Sequence, residues 1–252
     1  MESSSFYVTL PSNASMNLHP KNTQASYKVK LPKTLRLSNK YEVALSEIQF
    51  PVSWKTFVEP LSYTFNIVKG EDLAFQQVFF PVARYNSVRE LVDSINWALK
   101  DYFYDKVPNA VVLHTNELTQ KVTITCKEPY KIQFPQETCD VLGLEHVYYK
   151  EENNEAPYIY DITRGFAAMY IYCSVCEEQI VGDSFVPLLR AVAAKGKRGD
   201  YIVKSFGEPH YVPVVGTEMD TIEINIKDDT GAFVPFTFGK VICKLHFRQK
   251  TI

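Results

Sequence analysis

The sequence predicts a mainly β protein: an antiparallel β-sandwich that carries a small α+β insertion. Three observations lead there. Short runs that alternate apolar and polar residues, separated by turn formers, fill both ends of the chain. Aromatic residues make up 13% of the 252 residues, with 16 Tyr and 16 Phe, and these types suit a pleated, half-buried surface. One strong helical stripe lies in the middle, at about 87–102, and texture differs around it.

Along the chain, residues 6–10 (FYVTL) read as the first strand, followed by a polar turn-rich stretch at 11–24. Residues 27–31 (YKVKL) alternate, as a strand with one wet face does. Residues 41–51 (YEVALSEIQFP) continue, but their apolar phase flips near Ser46. That flip predicts either a bulge or a strand passing from one sheet to the other. In the helix, Ser87 and Glu90 have capping-box spacing, and Val88, Leu91, Val92, Ile95, Ala98 and Leu99 form one stripe. Strands follow at 110–115, 121–126 and 130–134, the first two joined by a hairpin-like turn at 116–120. Residues 69–146 are therefore assigned to an inserted α+β unit with one helix, and 1–68 with 147–252 to the sandwich.

The third region opens on a charged loop at 150–155. The apolar run 167–176 (AAMYIYCSVC) is a covered strand or a short buried helix, and its β-branched and aromatic content favours the strand. A glycine-rich basic loop follows at 195–200, then an alternating strand at 221–226. Asp228, Asp229 and Gly231 mark a structural turn, because aspartate side chains cap nearby backbone and glycine accepts positive φ. Strands at 233–238 and 241–247 complete the pattern, with Val241, Cys243, Leu245 and Phe247 on one face. About eight strand-like runs lie outside the insertion, the strand number of a single jelly roll.

Chemistry-bearing signals are weak. Cys173 and Cys176 form a CxxC, but zinc needs a second ligand pair, and none lies nearby. Within a strand, residues three apart point to opposite faces, so buried structural thiols are expected. Cys126, Cys139 and Cys243 bring the count to five, which does not read as a disulfide framework. His19, His114, His146, His210 and His246 contain no HxH, HxD or HxE triplet for a facial metal set. No phosphate-binding or nucleophile-elbow motif occurs. Lys195, Lys197 and Arg198 are too few to establish a nucleic-acid surface, and a net charge of −2 does not indicate one for the whole chain. No enzyme, cofactor or metal site is expected. Residues 1–10 lack the features of a secretory signal, and no apolar run reaches the ~20 residues that span a bilayer, so a cytosolic, nuclear or particle-borne protein is expected, without membrane insertion.

Several segments resemble the penton (minor capsid) proteins of Polinton/Maverick elements, adinto-like viruses and virophages. They are FYVTLPSNAS at 6–15 and the stretch 22–51, with its strand ending in LP and its YEVALSEI strand. More specific are YIYCSVCEEQIVGDSFVPLLRAV at 170–192, PHYVPV at 209–214 and the stretch 220–248. The resemblance implies a jelly-roll capsid subunit that forms homopentamers at icosahedral five-fold vertices, beside a larger double-jelly-roll major capsid protein. It implies location in the virion capsid, after synthesis in the host cytoplasm and assembly there or in the nucleus. Packaged nucleic acid and a host receptor are weaker implied partners. On this view the insertion projects outward or lines the rim, and residues 1–5 form an arm to neighbouring proteins. Two other readings stay open: a ligand- or glycan-binding β-sandwich for host attachment, and, ranked third, a metal-dependent oxygenase or hydrolase.

Overall fold

The computed structural model describes residues 5–38, 40–57, 60–70, 75–150, 152–162, 167–197 and 199–250. The chain opens with β1 (Ser5–Pro11), β2 (Ser26–Arg36) and β3 (Tyr41–Pro51). After a 3-10 turn at Pro60–Tyr63 come β4 (Thr64–Lys69), β5 (Gln76–Phe79), α1 (Val88–Tyr102), β6 (Val111–Asn116), β7 (Lys121–Cys126), β8 (Tyr130–Gln133), α2 (Gln136–Leu142) and β9 (Asn154–Glu155). The remainder supplies β10 (Ala168–Cys173), β11 (Gln179–Val181), β12 (Ser184–Val186), β13 (Leu188–Ala193), β14 (Tyr201–Ser205), β15 (Val212–Pro213), β16 (Glu218–Lys227) and β17 (Ile242–Gln249). These elements form two compact units, one from Met1–Trp54 with Gly165–Ile252 and one from Lys55–Arg164.

The first unit is a jelly roll. One sheet has the order β1-β17-β3-β14, with β15 also pairing β3, and the other has the order β13-β10-β16-β2. Numbering these long strands along the chain gives 1-8-3-6 and 5-4-7-2. Each connection therefore changes sheet, except that from β10 to β13, which are neighbours. Alternation selects the inner face. Cys243, Leu245 and Phe247 of β17 are fully buried, while Ile242, Lys244 and His246 between them are only half-buried. Leu10, Val43, Ile48 and Phe50 meet Tyr27, Met169, Ile171 and Ile224 in one core. Each such side chain contributes about 1.5–3 kcal/mol by leaving water.

The phase flip in β3 is a bulge. Lys244 pairs with Glu47 and Leu245 with Leu45, so Ser46 has no opposite residue. Its hydroxyl donates to the Lys244 carbonyl (2.9 Å), and its own carbonyl accepts from the Phe206 amide (2.9 Å). The strand stays in one sheet, and the extra residue keeps Tyr41, Val43 and Leu45 facing the same core as Ile48 and Phe50.

The second unit is α+β. Among the described residues it contains a three-stranded sheet β5-β4-β8 and a second one, β6-β7-β9. The buried stripe of α1 is the predicted one, and Ser87 caps it by accepting from the Glu90 amide (3.2 Å). The Glu90 carboxylate returns the bond to the Asn86 amide (2.8 Å) rather than to Ser87, one residue off a standard capping box. The Asn96 side chain pins α1 to β6 by bonding both the carbonyl (2.8 Å) and the amide (2.9 Å) of Leu113. Gly143 ends α2 at φ +71°, and a Cβ there would lie 2.3 Å from the Tyr158 carbonyl oxygen.

Five expectations change, the first being the helix count: among the described residues the second unit holds two helices, α1 and α2, rather than one. The second unit spans 55–164 rather than 69–146, because β4 pairs with β5 and β8, Tyr149 bridges Ile132, and β9 pairs with β7. The loop expected at 150–155 thus ends in β9. Residues 233–238 do not form a strand: Phe233 makes one bridge to Lys227, the Val234 amide bonds the Ile226 carbonyl (3.1 Å), and Pro235, which has no N–H, stops the pairing there. The CxxC does not lie inside a strand, since β10 ends at Cys173 and Cys176 sits in the following turn, its amide bonded to the Cys173 carbonyl (3.1 Å).

Candidate functional site

The residues singled out by sequence do not converge on a reaction centre. All five cysteines are free and buried. Burial pushes the thiols of Cys126, Cys139 and Cys243 up to about 12, and contact with Cys173 together with burial raises Cys176 as well. They are packing residues, poorly suited to act as thiolate nucleophiles. Among the described residues, no three His, Cys, Asp or Glu side chains come together as a metal-binding group. No described helix is long and apolar enough to cross a membrane. The Asp228 carboxylate accepts from the amides of Thr230 (2.9 Å) and Ala232 (3.0 Å), and Gly231 adopts φ +85°. Asp229 lies in the same turn and is exposed. Lys195 and Lys197 are exposed on their loop, while Arg198 and residues 1–4 of the expected arm lie outside the described residues.

What the first unit does present is three different outward surfaces. On the β2–β16 half of one sheet, charges pair across the strands: Lys28 with Glu223 (3.1 Å), Arg36 with Glu218 (3.1 Å), and Lys30 with Asp220. Opposite charges at paired positions are the mark of a solvated face, and exposed pairs of this kind contribute little to stability.

The outer face of β1–β17–β3 is built from rings and cations instead. Tyr7 stacks on His246 with centroids 4.5 Å apart, and the Tyr211 hydroxyl meets His246 Nδ1 at 2.7 Å. Arg248 lies 3.4 Å above the Tyr211 ring and also pairs with Glu42 (2.6 Å). Burial, reinforced by the Arg248 charge, holds the His246 imidazole below its ordinary range. This favours the neutral ring, whose Nδ1 accepts from or donates to the Tyr211 hydroxyl according to its tautomer.

The third surface is the β11–β12 hairpin, which the sequence reading missed. It interrupts the connection between β10 and β13 and, among the described residues, pairs with neither sandwich sheet. Ile180 stands directly opposite Phe185, and they are 73% and 68% exposed. Gly182, at φ +62°, supplies the tight turn between Val181 and Ser184. The available signal was the Gly182-Asp183 dipeptide between β-branched and aromatic residues. Three-residue strands are too short to show a period.

No protein-family model matches the chain, and no curated protein matches its sequence. Among solved structures, the mavirus penton protein superposes with a TM-score of 0.54, at 14% identity, over 97% of this chain and 99% of that one. The fold is that of the mavirus penton protein. The D2–D3 domains of the flagellar cap protein FliD from Escherichia coli align at a TM-score of only 0.20 and 10% identity, covering 98% and 100% of the two chains.

Proposed function

We propose that this chain is a structural virion protein, a penton subunit forming homopentamers at the five-fold vertices of an icosahedral capsid. The observation that carries this reading is the shared fold with a viral penton protein over nearly the full length of both chains, jelly roll and inserted unit together. The resemblance to penton proteins of Polinton/Maverick elements, read from the sequence, points the same way. A jelly roll whose outer surfaces carry aromatic rings and an apolar hairpin suits assembly, since aromatic residues concentrate at the centres of interfaces. The partners are copies of the chain and a larger major capsid protein, the setting is the virion, and no catalysis is assigned. Light scattering on the purified protein, followed by negative-stain imaging, tests this: five-membered rings support it, and a chain that stays monomeric at every concentration counts against it.

One observation favours a second role, attachment to a glycan. A groove of about 500 Å³ in the α+β unit is lined by Trp97, Phe79, Gln76, Gln77 and Asp101, and Trp97 is 62% exposed. Flat rings beside amide and carboxylate groups suit a sugar. Loss of glycan binding in Trp97→Ala, with assembly intact, would support that role. A glycan array without a Trp97-dependent signal would remove it.

A further inference from the structure

We infer that the β11–β12 hairpin is a knob that docks on a second copy of this chain, in the concavity under the loop joining β1 to β2. The inference rests on the pentamer reading and names the contact that would close the ring.

The hairpin lacks a core. No residue from 179 to 186 is buried. A two-stranded hairpin is marginal in water unless a face is covered, and this one turns two large apolar side chains to solvent. Its base is tied down, because the Gln179 side chain donates to the Leu188 carbonyl. The apolar tip is thus held out from the sandwich.

A closed ring needs two different surfaces on each subunit, one meeting the other on the next copy. In the order β13-β10-β16-β2, the hairpin belongs to the β13–β10 edge. The concavity, about 380 Å³, is walled at the β2 edge by Ser26, Tyr27 and Lys28 and by Leu18, Pro20 and Asn22 of the loop. The strands nearest knob and hole, β13 and β2, therefore form opposite edges of one sheet, three strand spacings or roughly 14 Å apart.

The hole is already formed. The Asn22 side chain donates to the carbonyls of Lys28 (2.9 Å) and Ala14 (3.2 Å), and its oxygen accepts from the Lys28 amide (3.0 Å). The Ser15 hydroxyl accepts from the Lys30 amide (3.0 Å). Leu18 is left 64% exposed at the rim. A surface ordered before binding loses little entropy on docking.

Glu177, Glu178 and Asp183 are exposed around the hairpin. Lys21 is exposed at the hole, beside His19 and beside Lys28, whose charge is already met by Glu223. An acidic knob meeting the Lys21 cation favours knob-to-hole contact over knob against knob.

The test uses the full chain and light scattering. Ile180→Asp with Phe185→Asp removes the knob, and Leu18→Asp removes the hole, with Lys21→Glu as a second hole variant should Leu18→Asp fail to fold. Each variant is expected to fall about five-fold in mass, to a single subunit, with its melting curve that of a folded monomer. A one-to-one mixture of knob and hole variants is expected to reach the mass of two subunits and stop, because one intact knob and one intact hole remain. A variant that keeps the wild-type ring, or a mixture that stays at one subunit, overturns the inference and leaves the pentamer reading standing. A wild-type chain that never assembles overturns both.

Discussion

The hairpins β6–β7 and β11–β12 have the same plan and opposite surroundings. In β6–β7, Val111, Leu113, Val122, Ile124 and Cys126 are all buried, and α1 packs against β6. In β11–β12 nothing is buried, and the largest side chains face outward. The difference teaches that a strand pair is held by what covers one of its faces more than by its own ladder of hydrogen bonds. The first hairpin finds its cover within its own unit. The second has none among the described residues, which is the physical reason to look for it on another molecule.

The largest test of that contrast is truncation on each hairpin. Ile124→Ala should cost about 2–5 kcal/mol in a urea melt, because it opens a cavity in a closed core. Phe185→Ala should leave monomer stability within about 0.5 kcal/mol and act only on assembly. Equal losses at the two sites would break the comparison. Deletion of Ser46 comes next. Without it, β3 reads as strict alternation and keeps every core residue inward, so the cost should be limited to the bulge's two hydrogen bonds, about 1–3 kcal/mol by thermal melt. Unfolding on deletion would show that the bulge sets more than phase. Ser87→Ala should cost about 1 kcal/mol by removing the α1 cap.

A smaller effect concerns pH. His246 takes up a proton less readily folded than unfolded. Stability should therefore fall as pH drops through the ordinary imidazole value of 6.5 and level off below the lower folded value. The change in melting temperature between about pH 8 and about pH 5 should shrink in His246→Gln. An unchanged slope would assign the pH response to other groups. Smallest of all is the exchange Asp183→Lys with Lys21→Glu in one chain. If the hairpin and the hole meet, each single change should weaken assembly and raise its sensitivity to salt, and the pair should recover part of the loss.

Much of this could be read from residue order, and the exceptions share a cause. The Ser46 phase flip, the Ser87 cap and the α1 stripe are local patterns, and local patterns survive in a single sequence. The edges of the second unit were misjudged because β4 resembles the strands before it in composition, while its partners β5 and β8 lie further along the chain. Residues 233–238 looked like a strand by hydrophobicity, although Pro235 argued otherwise. The hairpin escaped because its strands are three residues long, and exposure is a property of packing that no apolar run announces. Of the proposed knob and hole, only the turn dipeptide Gly182-Asp183 had a signature.

The thiols have a practical consequence. Cys126 and Cys139 belong to the α+β unit, and Cys173, Cys176 and Cys243 to the jelly roll. Shielded from solvent, they should ignore a maleimide until the surrounding structure opens. Mass spectrometry of timed alkylation would then show increments of two or of three, a built-in clock that separates the breathing of one unit from that of the other.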